Sequence, residues 1–164
     1  MEAITFSQAM AATLVPMHEI DHNLFLGGLG AGGNEALLKR TGIKFVVQLL
    51  ENTQIAPRFP GITYHFIQIQ DSPAENISRH LPDALKFIHR HLKHNQKVLV
   101  HCAAGVSRSA SVVISYIMAK NNTSFLKALQ YVRNKRNCVL PNEGFRRQLE
   151  GMNLSTLRGY LRIL

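Results

Sequence analysis

The run IKFVVQLL, residues 43–50, is apolar at almost every position. A half-exposed strand would alternate. A continuous run rich in Val and Leu belongs to a strand buried on both faces, and such strands lie inside sheets that helices cover on each side. Three other runs read as strands: NLFLGG (23–28), ITYHFIQIQ (62–70) and KVLV (97–100). In the second of these, Ile67 and Ile69 alternate with Gln68 and Gln70. Between the last two lies RHLPDALKFIHRHLKHN. Its Leu81, Ala84, Leu85, Ile88 and Leu92 share one helical face, and Pro82 suits a first turn. SASVVISYIMAK is apolar nearly all round, as a central buried helix would be. TSFLKALQYVRNKR has Ser or Thr at its cap and Arg133, Lys135 and Arg136 at its end, where cations complement the helix dipole. NEGFRRQLEGMNLSTL reads as one further helix. Strands alternating with helices, then a helical C-terminal half, predict an α/β domain. Its central, largely parallel or mixed sheet of about five strands is flanked by helices.

The 164 residues suit one domain with its own core. No stretch approaches the roughly 18–20 apolar residues of a membrane span. The N-terminal MEAITFSQAMAATLVPM lacks a basic n-region and does not read as a secretory signal. Glu2 and the terminal LRIL rule out myristoylation and prenylation boxes. Two cysteines, Cys102 and Cys138, are too few for a disulfide framework or a four-ligand zinc site. His89, His91 and His94 sit in a basic helical context without paired metal spacing. No metal and no cofactor are therefore expected. Lys plus Arg outnumber Asp plus Glu by 19 to 10, a formal charge of +9. That surface favours anionic partners without saying which anion.

GLGAGG (28–33) matches the dinucleotide fingerprint G-x-G-x-x-G after a strand, with Glu51 downstream where such folds keep a ribose-binding acid. Thr41-Gly42, however, ends the following helix after about two turns, short of the usual crossover helix. The segment reads as a glycine-rich connection.

The chemistry concentrates in VLVHCAAGVSRSASVVISY, residues 98–116. A parallel strand ending at Val100 delivers the chain to the carboxyl edge of its sheet, where open α/β sheets bind ligands. Gly105 lets the loop turn its N–H groups inward, and the helix beginning near Arg108 points its positive end at the same spot. Together they form an anion cradle. Arg108 adds a planar fork that can grip two phosphoryl oxygens. The loop has neither the spacing nor the Lys of a nucleotide P-loop. A thiol in such electropositive surroundings ionises readily. Cys102 beneath a bound phosphoryl group would be positioned for covalent catalysis.

HCAAGVSRS is similar to the H-C-x5-R-S signature of the protein tyrosine phosphatase superfamily and resembles, within it, the dual-specificity phosphatases. NLFLGG, TGIKFVVQL and VLPNEGFRRQL resemble further segments of that family, so the likeness spans about residues 20–152. It implies a catalytic domain over 20–152, between an N-terminal extension 1–19 and a C-terminal tail or helix end 153–164. It also implies a protein tyrosine phosphatase-like fold. By resemblance Cys102 is the nucleophile and Arg108 the phosphate clamp. The main-chain N–H groups of Ala103, Ala104, Gly105, Val106, Ser107 and Arg108 hold the phosphate. Ser109 assists the departing thiolate, and His101 orients Cys102. Asn142 supports the loop or caps a helix. Asp71, at the same sheet edge, matches the general-acid position, with Glu75 on the same loop as the alternative. Asp83 falls on a helix as a solvated residue. Cys138 reads as a packed small residue, against a regulatory disulfide with Cys102.

The implied activity is hydrolysis of phosphotyrosine and phosphoserine/threonine through a cysteinyl-phosphate intermediate. The alternative is a same-fold phosphatase for a phosphoinositide or an RNA 5′-phosphate. Phosphorylated proteins are the expected substrates, with no nucleic-acid or membrane partner, in the cytoplasm or the nucleus. A homodimer through the flanking segments stays open.

Overall fold

The computed structural model describes residues 5–52 and 56–162. The elements run α1 (Phe6–Leu14), β1 (Met17–Asp21), β2 (Leu24–Gly27), α2 (Leu29–Gly32), α3 (Glu35–Thr41), β3 (Ile43–Leu50) and β4 (Thr63–Gln68). After a single 3-10 turn follow α4 (Leu81–Lys93), β5 (Lys97–His101), α5 (Arg108–Asn121), α6 (Phe125–Lys135), α7 (Glu143–Gly151) and α8 (Leu154–Gly159). The sheet order is β1-β2-β5-β3-β4. β1 is antiparallel to β2, and every other pairing is parallel.

The apolar run of β3 is explained by its two faces. Val46 faces a cluster with Phe25, Ala31, Leu38 and Leu99. Val47 and Leu49 face the larger cluster, which includes Val98, Val100, Ile88, Val113 and Ile117. Successive side chains of a strand point to opposite faces, so a strand covered on both sides must be apolar throughout. α5 is buried along Arg108–Ala119, which is why its sequence lacks a polar face.

Helix ends follow local chemistry. Asn34 Oδ1 accepts from Leu37 N at the start of α3, and Gly42 closes it at φ 84°, in the left-handed region that glycine enters at no steric cost. Ser124, Asn142 and Asn153 cap α6, α7 and α8 in the same way as Asn34.

Several elements differ from the sequence expectation: α1 lies in the N-terminal extension, where none was expected, and α2 is a single turn inside the glycine-rich connection 28–33. β1 was not anticipated: MHEID is short and mixed in polarity, and only Ile20 is fully buried. The single C-terminal helix expected over 142–157 is two helices. Met152 takes an extended conformation, ψ 137°, and Asn153 opens α8 by capping Thr156 N. No helix among the described residues is long and apolar enough to cross a membrane.

Three parallel strands, β3, β4 and β5, deliver their carboxyl ends to one edge. Cys102 follows β5 directly, and Asp71 stands just past the end of β4.

Candidate active site

Residues 102–107 turn from the end of β5 into α5. Gly105 makes the turn possible at φ 69°, and a side chain there would strike the Gly27 carbonyl at 2.6 Å. Four consecutive carbonyls of the loop are tied down from outside. Ala103 O accepts from Leu29 N over 2.9 Å, and Val106 O from Leu140 N over 2.8 Å. Ala104 O accepts from Arg136 Nη2 over 3.1 Å, and Gly105 O from Arg136 Nε over 3.0 Å. A trans peptide points its N–H opposite to its C=O. With those carbonyls turned outward, the N–H groups of residues 104–107 face the concave side. One of them, Gly105 N–H, donates to Cys102 Sγ over 3.3 Å.

Cys102 is 2% exposed, at the floor of this loop. Ser109 Oγ lies 3.0 Å from its sulfur. The Gly105 N–H donates to the sulfur, and the Ser109 hydroxyl is placed to donate to it once the sulfur is a thiolate, so both can stabilise negative charge there. Ser107, at the N-cap of α5, does not bond the helix with its hydroxyl. Its Oγ accepts from Asn142 N over 2.9 Å instead. The first N–H groups of α5 are thus not covered by the cap side chain and add the helix's positive end to the cradle. Arg108, 6% exposed, reaches back across the site and donates Nη1 to Ile69 O over 3.3 Å.

Ile69 is two residues before Asp71, so the contact also fixes where the Asp71 loop starts. Asp71 Oδ1 accepts from Asn142 Nδ2 over 2.9 Å. Asn142 Oδ1 accepts from Phe145 N over 2.9 Å. A single residue therefore caps α7, braces Ser107 and holds Asp71; loop support and helix capping coexist. The alternative acid, Glu75, commits Oε1 to Gln70 N over 3.1 Å. Asp83 lies in the first turn of α4, near His65.

His101 is fully buried. Gln48 Nε2 lies 3.1 Å from His101 Nε2, and His101 Nδ1 lies 3.0 Å from Cys102 O. An amide nitrogen only donates. His101 Nε2 therefore accepts, and Nδ1–H donates to the carbonyl of the cysteine beside it, which is the neutral imidazole. Burial pushes the His101 pKa below its ordinary value, in the direction this arrangement requires.

Two contributors were not foreseen in the sequence. Arg136 was read as a helix-end cation, yet it is 1% exposed and clamps the loop from behind. Its Nη1 donates to Val15 O and to His18 Nδ1, both over 2.9 Å. Gln48 sat unmarked in an apolar run and fixes His101. The glycine-rich segment 28–33 also has its explanation. A Cβ at Gly28 would lie 2.6 Å from Ala103 O, and one at Gly32 would lie 2.3 Å from the His101 ring. These glycines let the main chain press against the cradle, and the space a dinucleotide would need beside them is filled by the protein. Cys138 is buried, and both cysteines are free thiols.

The arrangement can seat a tetrahedral oxyanion group over a nucleophilic sulfur, with a carboxyl group at the rim. Among the described residues, no group of three or more His, Cys, Asp or Glu is placed to hold a metal ion.

The family model for the catalytic domain of dual specificity phosphatases matches residues 24–153. The human dual specificity protein phosphatase 22 is 35% identical over 134 residues, covering 82% of this chain and 72% of that protein. The crystal structure of the human tyrosine phosphatase-like serine/threonine/tyrosine-interacting protein superposes with a TM-score of 0.79 at 38% identity, covering 82% of this chain and 93% of that one. The crystal structure of DUSP15 superposes with a TM-score of 0.83 at 28% identity, over 91% and 97% of the two chains.

Proposed function

This chain belongs to the dual specificity phosphatase family and is a protein phosphatase, a phosphoric monoester hydrolase; from that premise we propose that Cys102, Arg108, Asp71 and Ser109 carry the reaction in the following way. The phosphoryl group of a phosphotyrosine, phosphoserine or phosphothreonine enters the loop, its oxygens meeting the inward N–H groups and the Arg108 fork. Cys102 Sγ attacks phosphorus in line with the leaving oxygen. The S–P bond forms as the P–O bond breaks, and Asp71 passes its proton to that oxygen. The products are the dephosphorylated side chain and a cysteinyl phosphate. Water then attacks phosphorus, giving its proton to the Asp71 carboxylate. The S–P bond breaks, inorganic phosphate leaves, and the Ser109 hydroxyl donates to the departing thiolate.

Asn142 holds Asp71 at the rim. Gln48 acts through His101, whose Nδ1–H fixes the Cys102 carbonyl. Arg136 keeps the Ala104 and Gly105 carbonyls turned outward.

The observation that supports this reading best is the surroundings of Cys102 Sγ, with Gly105 N–H donating over 3.3 Å and the Ser109 hydroxyl at 3.0 Å, beneath a loop whose carbonyls are all engaged elsewhere. The deciding assay compares phosphotyrosine and phosphothreonine peptides with a phosphoinositide and a 5′-phosphorylated RNA. Hydrolysis of both peptides is expected, phosphotyrosine faster because phenolate leaves more easily than alkoxide. A preference of more than about a thousandfold, roughly 4 kcal/mol in the barrier, for lipid or RNA over every phosphopeptide would overturn it.

A further inference from the structure

The second concentration of charge lies at the far end of α5. One phosphate-binding loop stands at its N-terminus. Lys120 stands twelve residues on, about 18 Å along the helix at 1.5 Å per residue. There α8 packs back on α5: Leu157 is fully buried, and Arg158 Nη1 donates to Ala119 O over 2.9 Å. That contact holds the C-terminal segment on α5, where Leu161 and Arg162 share a hollow with His89 of α4. A hollow of about 220 Å³ remains between the three helices, lined by His89, Ala119, Lys120, Arg158, Leu161 and Arg162. This is room for several water molecules at about 30 Å³ each, and so for a phosphate.

No carboxylate lines the hollow among the described residues. The nearest acid in the hydrogen-bond network, Asp21 of β1, is already engaged by Lys120 and by Tyr131 over 3.0 Å. Arg162 is exposed at the rim of the hollow, and among the described residues its side chain makes no hydrogen bond or ion pair. His89 Nδ1 lies 3.0 Å from Tyr116 Oη. The groups facing His89 are Lys93 on its own helix, Lys120 and Tyr116 on α5, and Arg158 and Arg162 from the C-terminal segment. Burial holds the His89 pKa below its ordinary value, and Lys93 and Lys120 lower it further. The lining of the hollow thus carries Arg158, Arg162 and Lys120, the last of them paired with Asp21. A solvent-exposed helix end needs one or two cations to complement its dipole. Here α4, α5 and the C-terminal segment bring four cationic or titratable side chains, His89, Lys120, Arg158 and Arg162, to one concavity.

We infer that this hollow is a second anion site, distinct from the catalytic loop, that takes a phosphate group of a small polyphosphorylated ligand between Arg158, Arg162, Lys120 and His89. Free inositol polyphosphate and the headgroup of a phosphoinositide carry the same chemistry.

The test uses the full chain at pH 7 with inositol hexakisphosphate as probe and NMR signals of the His89 ring as local reporter, so that occupancy of the catalytic loop is read separately at Gly105. Saturable shifts at His89 are expected, weakening with salt, and the His89 titration midpoint should rise as the bound anion offsets its cationic neighbours. Arg162→Ala should weaken binding roughly tenfold, the loss of one charge-assisted contact. Arg158→Met with Arg162→Ala should weaken it further, while turnover of an aryl phosphate without the probe stays within twofold. A second arm measures sedimentation with phosphatidylcholine vesicles, with and without a few per cent phosphatidylinositol bisphosphate. Arginine-dependent vesicle binding assigns the headgroup as source, and binding of the soluble probe alone assigns the free anion. His89 signals that stay fixed up to millimolar probe, or unchanged affinity in Arg162→Ala, would sink the site.

Discussion

Arg136 donates Nε to the Gly105 carbonyl over 3.0 Å from behind the loop that runs from Cys102 into α5. Its Nη2 takes the Ala104 carbonyl at 3.1 Å. The inward direction of the cradle's N–H groups is thus set by a side chain that never meets substrate. Arg136→Met should leave these carbonyls buried without donors, at about 1–3 kcal/mol each. A large drop in melting temperature is expected together with weaker phosphate binding. Arg136→Lys keeps the charge but loses the fork, and should recover stability better than binding. Unchanged binding in Arg136→Lys would show that the loop holds its own shape.

Cys102→Ser should stop turnover and keep binding. The hydroxyl is a poor nucleophile at neutral pH, while the carbonyl ties that shape the loop do not involve the sulfur. Calorimetry with a phosphopeptide checks this. Turnover within tenfold of wild type would remove Cys102 from the chemistry.

Asp71→Asn should slow hydrolysis by roughly 10²–10⁴, the usual worth of a general acid. The loss should shrink for aryl phosphates with low-pKa phenols, which need no proton on leaving. Asn142→Ala releases Asp71 and should share that leaving-group dependence at smaller amplitude. It should also lose about 0.5–2 kcal/mol of stability with the α7 cap. If Glu75→Gln shows the leaving-group dependence and Asp71→Asn does not, the acid is Glu75.

Stability should fall on mild acidification. His101 and His18 both accept a hydrogen bond on a ring nitrogen and both have their pKa held below the ordinary value, chiefly by burial, with Arg136 adding to the effect on His18. The unfolded chain takes up these protons near pH 6.5 and the folded chain only at lower pH. The stability they contribute is complete above about pH 6.5 and is lost as pH falls from there through the lowered folded values. Melting temperatures at pH 7.5, 6.5 and 5.5 should decline in that order. A flat profile would mean that neither ring is held neutral. Gln48→Leu removes the donor to His101 and should lower the maximal rate more than substrate affinity, a split that a purely structural residue would not produce.

The core of the candidate site, as a group of residues brought together, was legible because its signal is local. Cys102, Gly105, Arg108 and Ser109 fall within one turn and helix start, and Asp71 follows a strand whose apolar pattern places it at the sheet edge. Arg136 and Gln48 were not legible, since their partners lie far along the chain. Nothing near Arg136 in sequence says that Gly105 will stand in front of it, and its position at a helix end offered a sufficient local explanation. The glycines at 28 and 32 imitated a nucleotide motif because both uses need the same thing, a main chain with no side chain in the way. The break between α7 and α8 had a readable cue in Asn153, which the continuing helical pattern obscured. β1 had none, since a short strand of mixed polarity earns its place only by pairing with β2.

Arg136 Nη1 also bonds Val15 O and His18 Nδ1, both ahead of the matched segment that begins at Leu24. Anyone trimming the polypeptide for expression would find that segment a natural place to cut. The excised piece would retain the whole proposed phosphate cradle, yet the guanidinium behind the loop would lose its bonds to Val15 O and His18 Nδ1 and the sheet its antiparallel edge. Such a fragment should be handled as a different reagent from the parent protein, and a weak assay with it would speak to where the scissors fell, not to the enzyme.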